Sequence, residues 1–148
     1  MSQMEETRGK KETMRLEIES LSCNEAFARV AVAAFMARMD PTVEEVDDVK
    51  TAVSEAVTNC VIHAYGGGEG KIWIQAEVEG SLLTVQVRDS GVGISDVKKA
   101  MEPLYTGKPE AGRSGMGFSF MEAFMDEVQV DSVPGEGTVV TMKKKLGQ

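Results

Sequence analysis

The sequence predicts an α+β fold, a single sheet of mostly antiparallel strands with helices packed on one face. Three observations predict it. Helical and strand periodicities are interspersed along the chain, and strands follow one another through hairpin turns rather than strand-helix-strand crossovers. The length, 148 residues, suits one hydrophobic core and is too short for two.

Residues 1–14 mix charges without periodicity and are expected to be a flexible tail, leaving residues 15–148 as a single domain. Arg15 to Ser20 alternates, with Leu16 and Ile18 on one face, as a short strand does. Ser22 followed by Glu25 has the spacing of a capping box and opens a helix carrying Phe27, Val30, Ala31 and Ala34 at helical intervals, which stops before Asp40-Pro41. Thr42 and Glu45 repeat the signal and open a long helix ending at Tyr65, before Gly66-Gly67-Gly68. Ile72, Ile74, Ala76 and Val78 alternate, Gly80-Ser81 supplies a two-residue turn, and Leu83, Val85 and Val87 alternate on the return strand. From Asp89 to Gly117 the chain is rich in Gly, Pro, Ser and charge, with at most one short helix after Ser95. A loop of that length in a compact domain is usually functional. A helix over Phe118 to Met125 and two strands, Glu127 to Val133 and Thr138 to Lys145, close the chain.

Composition removes several classes of function. The 24 acidic residues against 16 basic ones give a formal net charge of −8, so a nucleic-acid backbone would repel the surface, whereas a basic partner protein suits it. One histidine and two cysteines, Cys23 and Cys60, give no zinc-ligand cluster, and both cysteines fall in apolar helical patterns as small buried thiols do. No apolar stretch reaches membrane-spanning length and the polar start is unlike a signal peptide, so the expected address is the cytoplasm, with no membrane partner.

The long helix carries a polar stripe. Glu55, Asn59 and His63 are spaced four residues apart, advancing about 40° per step. Val46, Val49, Val53, Val57, Cys60 and Ala64 cover the opposite side. A solvated face would account for any one of these polar residues. Together they supply a base, a neutral oxygen ligand for a hard cation, and a phosphate-facing donor.

Asp89-Ser90-Gly91-Val92-Gly93 follows a strand in which Val85 and Val87 share a face with Asp89, which directs the carboxylate towards the helices. A buried carboxylate there accepts a hydrogen bond from the exocyclic amine of adenine, where guanine offers only an oxygen, and Gly91 and Gly93 let the backbone approach a ring. Gly115-Met116-Gly117 precedes a helix, where bare backbone amides favour anions, and Lys108, Arg113 and Ser114 add donors for phosphates. Thr138 shares a face with Val140 and Met142, so its hydroxyl can reach the pocket of Asp89. No Walker or Rossmann glycine pattern is present.

Each element alone is common. The ordered set, a Glu-x3-Asn-x3-His helix, D-x-G-x-G, a lid, G-x-G at a helix start and a Gly-Thr strand, resembles the Bergerat-fold (GHKL) ATPase and kinase family. The strings SEAVTNCVIHAY, RDSGVGI, PLYTGKPE and RSGMGFSFMEAFMDEV narrow the likeness to the anti-sigma-F factors of spore-forming bacteria, over roughly Arg15 to Lys145. The resemblance implies a homodimer that binds a sporulation sigma factor in its ATP form and phosphorylates a serine of an anti-anti-sigma protein. It further implies that Glu55 is the general base and Asn59 the Mg²⁺ ligand. Asp89 reads adenine, Gly91, Gly93, Gly115 and Gly117 shape the ATP site, and Met101 to Ser114 form the lid. Arg29 matches a partner-contacting position. A related stress-response anti-sigma kinase would share every one of these residues, and a sigma-binding module could use ATP as a structural ligand only. A gyrase-like clamp would need a transducer domain, and a histidine kinase a separate phosphoacceptor helix.

Overall fold

The computed structural model describes residues 11–102 and 117–147. Five antiparallel strands form one sheet: β1 (Lys11–Glu19), β2 (Lys71–Glu79), β3 (Leu82–Asp89), β4 (Glu127–Val133) and β5 (Gly137–Lys145), in the spatial order β1-β2-β3-β5-β4. Two long helices, α1 (Asn24–Met36) and α2 (Val43–Asn59), pack on one face together with α4 (Gly117–Phe124), and a single turn of helix, α3 (Val97–Ala100), follows β3. The α+β architecture is therefore as the sequence predicts.

Alternation sorts the sheet into two faces. Ile72, Ile74, Ala76 and Val78 of β2, with Leu83, Val85 and Val87 of β3, are buried against the helices. Gly80 takes φ 62° at the first position of the turn joining them, the left-handed region a hairpin turn requires. On the other face the Trp73 indole lies under the Arg88 guanidinium, 4.3 Å from its centroid, and its Nε1 donates to Glu17 Oε1 at 2.8 Å. Burying the apolar face of each strand at ~25 cal/mol per Å² is the main force that fixes this register, because a one-residue slip would turn every valine to solvent.

Several local expectations are corrected. β1 begins at Lys11, inside the expected tail, because Lys11 pairs with Glu77 and Glu12 with Arg38 across elements. Residues 1–10 lie outside the described residues. Ser22 and Glu25 form no capping box: Cys23 is the N-cap without a side-chain bond, and the Glu25 carboxylate instead receives Arg29 Nη1 at 2.7 Å. The buried stripe of α1 is Ala28, Val32, Phe35 and Met36, while Phe27 and Val30 are exposed. That helix is apolar nearly all round, and packing against α2 selects which stripe is covered. Cys23 is exposed rather than buried, whereas Cys60 is buried. The capping box of Thr42 and Glu45 does form, with both reciprocal bonds present.

Lys144 ties three elements together. It donates to the carbonyl of Phe124 at the end of α4 (2.7 Å) and sits 3.6 Å from Asp48 of α2, with its side chain largely covered. Its charge also suits the negative end of a helix. Lys144→Met is expected to lower unfolding stability by about 1–2 kcal/mol, read by urea denaturation, because a part-buried carbonyl loses its donor and Asp48 its cation.

Candidate functional site

The site grows from the C-terminal half of α2. Val49, Val53, Val57 and Cys60 bury one side of the helix, as the sequence predicts, and this fixes the rotation at which Glu55 and Asn59 are presented. Glu55 is itself only 8% exposed, one turn before Asn59. Beyond Asn59 the helix loosens into a π-helical turn over Cys60–Ala64, closed by Tyr65 N–H to Cys60 O at 3.1 Å. Such turns occur mostly as short insertions and often at functional sites. His63 lies in this turn, half-buried, so it does not continue the regular α-helical stripe of Glu55 and Asn59.

Gly117, the first residue of α4, lies against Asn59. A Cβ at that position would come within 3.1 Å of both Oδ1 and Nδ2 of the amide, so the bare glycine leaves the Asn59 head group its space. This brings one end of the G-x-G element to the polar stripe of α2. Lys108, Arg113, Ser114 and Gly115 lie outside the described residues, as does most of the expected lid.

The second half of the site is built on β3 and β5. Asp89 pairs with Thr138 in the ladder, and both side chains are buried on the helix-side face, 6% and 7% exposed. One carboxylate oxygen, Oδ1, accepts the Gly91 N–H at 2.9 Å, and the other lies 3.4 Å from the Cys60 thiol, which donates to it. The loop itself is pressed onto the π turn. Val92 N–H donates to Ala64 O at 3.0 Å, and a Cβ on Gly91 would overlap the Ala64 carbonyl. Gly93 packs in the same way against Val133. Gly137 takes φ 122° with its Cα beside the Asp89 carbonyl, a conformation and an approach open only to glycine.

Residues unassigned from sequence complete the frame. Tyr65 Oη accepts the Ser90 N–H at 2.7 Å and donates to Lys71 O at 2.5 Å, joining the π turn, the start of β2 and the loop after Asp89. Cys60, read from sequence as a core thiol, is the direct neighbour of Asp89. Arg29 lies apart from this site, on α1, paired with Glu25 and flanked by the exposed Phe27 and Val30.

The Cys60 thiol is held well above its usual pKa, first by burial, then by the charge of Asp89 and by the hydrogen bond to it. The unfolded thiol loses its proton near about 8.5. Above that pH the folded state keeps a proton that the unfolded state has lost, so stability is full below it and declines as pH rises. Denaturation midpoints measured from neutral to alkaline pH should fall more steeply for the parent than for Cys60→Ala.

Residues 20–144 match the family described as histidine kinase-like ATPase domain. The anti-sigma F factor of Pasteuria penetrans is 58% identical over 139 residues, 93% of either chain. That of Clostridium novyi is 58% identical over 90% of this chain and 94% of its own. The chain belongs to the anti-sigma F factor family. Among solved structures, the RsbU and RsbW domains of a Mycobacterium tuberculosis protein superpose with a TM-score of 0.68 at 18% identity, covering 93% of this chain and 33% of that one. The catalytic domain of histidine kinase ThkA superposes with a TM-score of 0.57 at 19% identity, covering 90% and 96%. At those identities the two structures bear on the fold, which they share with this chain. An ATP-binding domain of the histidine kinase-like type is thus the framework on which Glu55, Asn59, Asp89 and Thr138 are carried. Among the described residues no helix is long and apolar enough to cross a membrane.

Proposed function

We propose that the chain is an anti-sigma factor that holds a sporulation sigma factor and uses Mg-ATP to phosphorylate a serine of an anti-anti-sigma protein, working in the cytoplasm as a homodimer. The observation that carries this reading is the high identity, across nearly the whole chain, to proteins named anti-sigma F factor. The buried Asp89–Thr138 pair supports an adenine site, since a carboxylate held by a thiol and a backbone N–H stays an acceptor for the exocyclic amine. Asn59, a neutral oxygen ligand suited to a hard cation, fits Mg²⁺, and the space left by Gly117 suits a small ion at its head group. When bound, Mg²⁺ neutralises triphosphate charge and orients the phosphates. His63, Lys108, Arg113, Ser114, Gly115 and Gly117 would line the phosphate side.

Glu55 then accepts the proton of the incoming serine hydroxyl as its oxygen bonds to the γ-phosphorus, the bond from that phosphorus to the β–γ bridging oxygen breaks, and ADP leaves. Its burial keeps competing water away, and its place one turn before Asn59 holds it near the phosphate end of the site. On α1, Arg29 with exposed Phe27 and Val30 offers a charge beside apolar surface, a combination suited to a protein partner. The net charge of −8 favours a basic, DNA-binding one.

Light scattering after gel filtration, with the sigma factor and with or without Mg-ATP, tests the sequestration half. A complex of two copies of the chain with sigma factor, tighter with Mg-ATP, is expected. Failure to bind in either condition contradicts it.

A further inference from the structure

Ser132 lies on β4 directly opposite Thr138 in the β4–β5 ladder. Its hydroxyl meets three groups. It accepts the Ile94 N–H at 2.7 Å, just past the Asp89–Gly93 loop, and it lies 3.0 Å from Gly137 O and 2.8 Å from Thr138 Oγ1. A serine hydroxyl has one proton and two lone pairs. Gly137 O can only accept, so that contact takes the serine proton. Ile94 N–H occupies one lone pair. The second is left for Thr138, whose own proton must then point at Ser132.

Thr138 is thereby left with lone pairs alone for the pocket. Its ladder partner Asp89 is an acceptor too, fixed by donors on both oxygens. We propose that Ser132 is a specificity-determining residue: it fixes Thr138 as a hydrogen-bond acceptor, so that Asp89 and Thr138 together select a 6-amino purine over a 6-oxo purine. The inference rests on the nucleotide-site reading above and deepens it. A 6-amino group offers two N–H donors to two acceptors. A 6-oxo group sets lone pairs against lone pairs, and polar groups buried without partners are what make such a site selective. Without Ser132 the Thr138 hydroxyl is free to turn and donate, which a 6-oxo purine can use.

The test is calorimetric titration with ATP and ITP, each with Mg²⁺. The parent should prefer ATP strongly. In Ser132→Ala the ATP-to-ITP preference should fall about tenfold, the range expected when one buried hydrogen bond is mismatched. Ser132→Thr, which keeps the hydroxyl, should retain the preference. Thr138→Val should reduce it, and adding Ser132→Ala to that variant should reduce it no further, because the serine acts through the threonine. Equal weakening of ATP and ITP by Ser132→Ala, or a further fall in the double variant, would overturn the proposal and leave Ser132 a purely structural residue. Should the alanine variant not fold, Ser132→Cys carries the same test: a smaller fall is expected, and an unchanged preference contradicts it. A parent that binds neither nucleotide refutes the nucleotide-site reading itself, whereas a parent that binds ATP beside variants of unchanged preference refutes only the role of Ser132.

Discussion

Glu55→Gln should lose about 10²–10⁴-fold in the rate of phosphate transfer to a partner serine while binding Mg-ATP almost as the parent does. The substitution keeps the shape of the side chain and removes only its capacity to take a proton. Glu55 is buried on α2, so a change of volume there would disturb packing, and the near-isosteric glutamine avoids that. Single-turnover transfer measured beside nucleotide affinity separates the two effects. A variant that transfers at the parental rate removes Glu55 as the base. One that loses ATP affinity in proportion makes Glu55 a binding residue instead.

Gly91→Val has the second largest expected effect, through the backbone. The loop after Asp89 lies directly on the π turn, and any Cβ at Gly91 meets the Ala64 carbonyl and its methyl group. Neither surface is the free end of a flexible side chain, so the loop must lift. Lifting breaks the Gly91 N–H bond to Asp89 and the Val92 N–H bond to Ala64. Overpacking costs about 1–3 kcal/mol and each lost hydrogen bond about 1 kcal/mol more, which for a chain of this size corresponds to a fall in Tm of roughly 10 °C. Asp89 loses its orientation at the same time, so nucleotide affinity should drop about 100-fold or more. A Gly91→Val variant that melts and binds ATP like the parent would show that the loop is not held on the helix.

Much of this was legible in the sequence where one periodicity governed one element. Alternation in β3 placed Asp89 with Val85 and Val87, alternation in β5 placed Thr138 with Val140 and Met142, and the ladder then set the two side by side. The buried side of α2 followed from its valines in the same way. What periodicity could not supply was the choice between equal stripes. On α1, Phe27 and Val30 compete with Ala28, Val32 and Phe35, and only the neighbouring helix decides. Nor could it supply contacts between distant elements. Cys60 on Asp89, Tyr65 across to Ser90, and Ser132 on Thr138 join residues whose separate environments look ordinary. The π turn is illegible for a related reason: its Cys-Val-Ile-His-Ala sequence suits an α-helix, and the loop pressed on Ala64 is a tertiary feature. The early start of β1 likewise depends on ion pairs to β2 and to the residues following α1.

Above all, the chain is expected to move the γ-phosphate of ATP onto a serine of another protein. Incubating the purified chain with Mg²⁺, γ-labelled ATP and an anti-anti-sigma protein tests this most directly, with the label followed by mass spectrometry. Label on a partner serine is the predicted result. Label released only as free phosphate, or ATP bound with no label moved, would contradict it and leave a nucleotide-dependent binding protein in place of a kinase.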